Sequence, residues 1–184
     1  MRFESGFPSA ASADRVYDAL LDVPSAAGCL PGASVVGCDP DGRHRAAIAV
    51  RAGPVRLGYD GTVEIVERDD AARTATMRAE GREQRGLGSA AATIALRVDP
   101  AGAGCGVTIA IELAVTGRVA QLGQGILQPV ATSMVERFGV CLERRLTEPE
   151  GVAIVPEPDE AHVSQLFKSM WTKIRHPHHH HGEA

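Results

Sequence analysis

Between residues 55 and 115 the chain alternates apolar and polar residues in four separate runs, and no other feature limits its fold as tightly. "VRLGYDGTVEIVE" places Val55, Leu57, Tyr59, Val63 and Ile65 on one face, with Arg56, Asp60, Thr62 and Glu64 on the other. "ATMRAEGRE" sets Ala75, Met77, Ala79 and Gly81 against Thr76, Arg78, Glu80 and Arg82. "ATIALRV" offers Ala92, Ile94, Leu96 and Val98, and "VTIAIELAV" offers Val107, Ile109, Ile111, Leu113 and Val115. A period of two with one apolar face predicts half-buried antiparallel strands. Turn chemistry separates the strand-rich segments at 39–42 (DPDG), 52–54 (AGP), 68–70 (RDD) and 99–104 (DPAGAG).

The flanking segments have helical periods. Upstream, "RFESGF" predicts a first strand ending at Pro8, with Phe3, Ser5 and Phe7 on one face. Ser12 is placed to cap a helix whose Val16, Leu20 and Val23 share a face. Pro24 suits the first position of a second, short helix, which must stop before "CLPGA" at 29–33. Downstream, Val119, Leu122, Ile126, Val130, Met134, Phe138, Cys141 and Leu142 recur every three or four residues from Gly117 to Leu146. That spacing predicts one long amphipathic helix, kinked or restarted at Pro129. The order is strand, two short helices, about six antiparallel strands and a long helix. It implies an α+β fold in which a curved sheet wraps the final helix.

Composition removes several function classes. A formal net charge of −4 argues against nucleic acid as a partner, which needs a basic stripe. No signal peptide is expected at the start, and no run of about 18 apolar residues is present to span a bilayer. Cys29, Cys38, Cys105 and Cys141 show no CxxC spacing and are read as buried small hydrophobes in a reducing cytosol, with no metal site. His44, in "DPDGRHR", is expected in a solvated turn. "GLGSAAA" at 86–92 contains GxG without a following helix, so a bulge or a close backbone approach is expected rather than a nucleotide loop. No catalytic pair or triad stands out, and the chain is expected not to be an enzyme.

Four motifs in register carry a family resemblance: "CLPGA" (29–33), "AGPVRLGYDGTVEI" (52–65), "AEGREQRGLGSA" (79–90) and "VTGRVAQLGQGIL" (115–127). Residues 1–146 resemble the CoxG family, accessory proteins associated with carbon monoxide dehydrogenase, within the START-like (SRPBCC) superfamily. The resemblance implies a helix-grip domain, with seven antiparallel strands gripping the C-terminal helix and a cavity between them. It further implies a partnership with the dehydrogenase complex at the cytoplasmic face of the membrane.

The inward residues between Ala75 and Ala92 are mostly Ala and Gly, which leaves either close helix–sheet packing or unfilled volume. With the resemblance, the second is favoured: a cavity for a hydrophobic small molecule. Its expected lining is Leu57, Tyr59, Ile65, Met77, Ile94, Ile111, Ile126, Val130, Met134 and Phe138. The Tyr59 hydroxyl can face a ligand carbonyl or a backbone partner equally well. The expected ligand is a respiratory quinone, menaquinone or ubiquinone. Alternatives are a START-like cyclase or hydrolase acting on a hydrophobic substrate, and a pure membrane anchor with no ligand.

The last part of the chain has a different character. Residues 147–160 carry five acids, no base, and Pro149, Pro156 and Pro158, as expected of an extended linker. Residues 161–175 predict a helix in which Val163, Leu166, Phe167, Met170, Trp171 and Ile174 fall within an arc of about 140°. Lys168, Lys173 and Arg175 flank that arc, and no acid occurs in the segment. Bulky apolar residues edged by bases suit a helix lying in an anionic membrane surface, peripheral on its inner face. A partner groove, or the chain's own domain, is the competing site. Residues 176–184 form a His-rich end expected to be disordered, either native or the remnant of a tag.

Overall fold

The structure, a computed structural model, describes residues 1–148. The alternating runs form one antiparallel sheet whose strands lie in the order β1-β7-β6-β5-β4-β3-β2. The strands are β1 (Arg2–Ser9), β2 (Ala33–Cys38), β3 (His44–Ala52), β4 (Val55–Asp69), β5 (Thr74–Glu83), β6 (Ser89–Ala101) and β7 (Gly104–Val115). Two short helices, α1 (Ala13–Leu21) and α2 (Val23–Ala27), lie between β1 and β2, and a long helix, α3 (Gln124–Thr147), ends the fold. This is the helix-grip arrangement implied above. Pro8 lies within β1, an edge strand, where a missing N–H is tolerated.

Local chemistry explains most of these elements. Val16, Leu20 and Val23 are buried, as their shared face requires. Ser12 holds the N-cap position of α1 but makes no side-chain cap bond. Asp22 caps α2 by accepting from the Ser25 N–H at 3.2 Å, with Pro24 in the first turn. The expected close approach at 86–92 is present. Gly88 has φ +145° and Gly117 φ +72°, and a Cβ on either would run into a carbonyl, that of Thr116 or Leu87. Only glycine permits the two loops to touch there.

The long helix differs from expectation at its start. The break falls at Gly123 (φ +70°), after a 3-10 turn over Gly117–Leu122, while Pro129 sits inside a continuous α3. A left-handed residue resets the helical phase more completely than a proline one turn further on. The second half of α3 is fastened to the other elements. Phe138 meets Phe7 of β1 edge-on, with ring centroids 6.0 Å apart, and Gly139 leaves room for Phe7. Glu143 accepts from the Ser9 hydroxyl and from the Ala10 N–H at 2.9 Å. Arg145 donates to the Ser25 carbonyl at 2.6 Å and Arg15 to that of Leu146 at 3.0 Å.

The cysteine reading is corrected. Cys29, just after α2, and Cys141 of α3 form a disulfide with Cα atoms 5.3 Å apart, and Cys38 is exposed. Cys105 alone behaves as a buried free thiol, and burial pushes its pKa up. His44 is also corrected. It is the first residue of β3 rather than a turn residue, half-buried, and its Nδ1 lacks a hydrogen-bond partner among the described residues. The expected linker beyond Glu148, the tail helix and the His-rich end lie outside the described residues.

Candidate functional site

Two cores hold the domain. One joins α1, the second half of α3 and the inner faces of β6 and β7; the other gathers Phe3, Ala52, Leu57, Tyr59, Val119 and Leu127. Between sheet and helix lies a cavity of about 430 Å³, within the range usual for small-molecule sites. Its walls come from α2, from strands β2 to β7 and from the inner face of α3.

Small residues create the volume. Ala46, Ala79, Gly81, Ala90, Ala92 and Ala131 line the cavity where large side chains would fill it. Gly61 and Gly81 stand opposite each other on β4 and β5, and a Cβ at Gly61 would collide with the Glu80 carbonyl. The rest of the lining is chiefly aliphatic.

Eight of the ten expected lining residues surround this space: Leu57, Tyr59, Met77, Ile94, Ile111, Val130, Met134 and Phe138. Two do not. Ile65 lies next to a β-bulge between Ile65 and Glu67, beyond the cavity, and Val63 is the nearer lining residue on β4. Ile126 is 41% exposed, and Leu127 takes the inward position, because α3 takes its phase from Gly123 rather than from Val119. The contribution of α2 and of the preceding helix (Leu20, Val23, Ala26, Leu30) is not foreseen from the sequence. The shared apolar face of Val16, Leu20 and Val23 is the available signal.

One polar atom stands out in the cavity wall. Tyr59 is 8% exposed, and its hydroxyl is buried with no hydrogen-bond partner among the described residues. Burial first, and then the charge of Glu83, raise the phenol's pKa, so it stays a neutral O–H at physiological pH. Glu83 is its cross-strand neighbour but does not line the cavity. The Glu83 carboxylate accepts from the N–H groups of Arg85 at 2.7 Å and Leu87 at 3.2 Å, closing the β5–β6 turn. Burial works to raise the Glu83 pKa, yet those backbone donors outweigh it and hold the pKa below the usual range. The carboxylate is thus engaged in the turn. A buried, unsatisfied hydroxyl costs on the order of 1–3 kcal/mol, which a ligand acceptor would offset.

Other surfaces offer less. A groove of about 480 Å³ lies on the outer face of the sheet, walled by Arg2, Arg78, Glu80 and Glu112. It is open and its opposed charges are interspersed. Among the described residues no group of three or more His, Cys, Asp or Glu is placed to hold a metal, and no helix is long and apolar enough to cross a membrane.

An antiparallel sheet closed on a long helix around an apolar cavity defines a START-like, helix-grip protein. Solved structures agree on the fold. A conserved protein from Geobacillus kaustophilus is 20% identical, with a TM-score of 0.69 over 79% of this chain and 95% of that one. A START superfamily protein from Mycobacterium smegmatis is 15% identical, with a TM-score of 0.52 over 79% and 96%. The ZhuI aromatase/cyclase from Streptomyces sp. R1128 is 14% identical, with a TM-score of 0.59 over 83% and 99%. The sequence profile of CoxG, an accessory component of carbon monoxide dehydrogenase, matches residues 7–147, and the chain belongs to that family. A search of curated proteins finds no match.

Proposed function

We propose that this chain is a non-catalytic accessory protein of a carbon monoxide dehydrogenase system that carries a hydrophobic ligand bearing a carbonyl. A respiratory quinone, menaquinone or ubiquinone, fits the chemistry best. The observation that carries the reading is the unpartnered Tyr59 hydroxyl in an otherwise aliphatic cavity of about 430 Å³. Aliphatic walls suit a ring and an isoprenoid chain, and the phenol supplies a single donor for a quinone oxygen. Such a carrier connects a water-soluble oxidoreductase to an electron acceptor confined to lipid. The tail segment around Trp171 is expected to visit the membrane surface.

The volume favours this reading over a pure anchor, whose domain would need no cavity. A cyclase or hydrolase would need a second free polar group beside Tyr59. Glu83, the nearest buried acid along the strands, is taken up by backbone donors. The test is organic extraction of the purified full chain followed by mass spectrometry. Quinone well above the level in a mock purification supports the proposal, and its absence there refutes the ligand assignment.

A further inference from the structure

Four arginines gather at one end of the sheet without an anionic partner. Arg51 and Arg56 stand directly opposite each other where β3 turns into β4. The Gln84 N–H donates to the Gly58 carbonyl at 2.8 Å, which brings Arg85 alongside, and the Arg118 N–H donates to the Leu87 carbonyl at 3.0 Å. Three loops therefore form one continuous rim. All four side chains are exposed, and none enters an ion pair with a described residue.

Elsewhere on the surface arginines do find acids: Arg43 with Glu64, Arg68 with Asp70, Arg73 with Asp14 and Arg97 with Asp99. The carboxylate within the rim loops, Glu83, is buried and engaged by backbone N–H groups. Like charges directly opposed on neighbouring strands destabilise a sheet. In a chain of net charge −4, the Arg51–Arg56 pairing is a local conflict that an external anion would relieve.

The cavity reaches this same end. Val50 and Leu57 adjoin the opposed arginines, and Val115 and Val119 lie either side of the chain leading to Arg118. The geometry points to an anionic lipid surface as the rim's partner: the folded domain settles onto phosphate headgroups through Arg51, Arg56, Arg85 and Arg118. Guanidinium groups pair with phosphate oxygens in a bidentate manner. A lipid surface fits better than an acidic protein, because the rim encircles the end of an apolar cavity and a ligand leaving there would pass into acyl chains rather than water. The purpose of this docking rests on the carrier reading; the docking itself does not.

The experiment is co-sedimentation of the full chain with vesicles of phosphatidylcholine alone or mixed with phosphatidylglycerol. The variants are Arg51→Gln/Arg56→Gln and Arg85→Gln/Arg118→Gln, each with and without Trp171→Glu to remove the tail's expected share. Each double variant should bind the anionic vesicles on the order of 30-fold more weakly, with the drop persisting in the Trp171→Glu background and shrinking at high salt. Circular dichroism melting checks that the variants remain folded, and their extracted ligand content should not change. Parental binding by both double variants overturns the proposal. So does unchanged lipid binding with lost association to the dehydrogenase, which would make the rim a protein-docking face. Arginine-dependent binding by a chain that yields no quinone would refute the ligand assignment and leave the lipid-docking rim standing.

Discussion

Replacing Tyr59 with Phe should move stability and ligand binding in opposite directions. In the empty domain the phenol hydroxyl is buried without a partner, so its removal relieves a desolvation cost of about 1–2 kcal/mol and leaves a ring of nearly the same shape. The empty Tyr59→Phe protein should therefore be the more stable, by roughly 2–4 °C in melting midpoint for each kcal/mol. Binding should suffer, because the donor to a ligand oxygen is gone. A hydrogen bond with a net value of about 0.5–1.5 kcal/mol corresponds to roughly 2- to 12-fold weaker affinity. Urea denaturation of delipidated protein, alongside titration with a short-chain menaquinone, gives both numbers. Destabilisation of the empty variant by about 1 kcal/mol or more would refute the reasoning. It would mean that the hydroxyl has a partner of its own, such as a buried water, and that Tyr59 is a core tyrosine rather than a ligand handle.

Three further outcomes are expected. Ala92→Leu should fill part of the cavity and lower quinone binding more than tenfold while leaving urea stability unchanged or raised, which separates a binding cavity from a packing defect. Thiol labelling under denaturing conditions should count two free thiols in the native protein and four after reduction, and reduction should cost about 3–5 kcal/mol of stability, given a bridge between residues 112 apart. Tyr17 and Tyr59, the chain's two tyrosines, are both held above the ordinary tyrosine range, chiefly by burial. A folded pKa above the unfolded value of about 10 adds stability that is complete below that pH and is lost as the pH climbs through the folded values. Phenolate absorbance should therefore appear at higher pH in the native chain than in denaturant, with stability falling across that interval.

The legible parts of the fold are those where burial is one-sided. Strands β4 to β7 bury one face against the helix, so Leu57, Met77, Ile94 and Ile111 announce themselves by alternation. Strand β2 lies at an edge, exposes Val36 and carries a register shift before Gly37, so its pattern is weak. Ile126 departs from expectation because helical phase depends on where the helix begins. That start is set by the positive φ of Gly123, which no apolar period reports. Ile65 departs because a bulge shifts the ladder beside it. The disulfide cannot be read from spacing, since Cys29 and Cys141 meet only after α3 has packed against the first helices. Sequence leaves the hydroxyl of Tyr59 a choice between two partners, and deciding between them requires the packed surroundings.

The sheet order has a consequence for how the chain is made. Residues 2–9 of β1 pair with residues 105–112 of β7, so the earliest strand to leave a ribosome must wait for one of the last. Through most of synthesis β1 has no hydrogen-bonding neighbour, and its Phe3 and Phe7 have no core to enter. Closure then depends on one long-range encounter rather than on a succession of local ones, which slows folding. For that interval the nascent chain presents an open strand with two aromatic rings, a target for chaperones and a point where two unfinished copies can cross-pair.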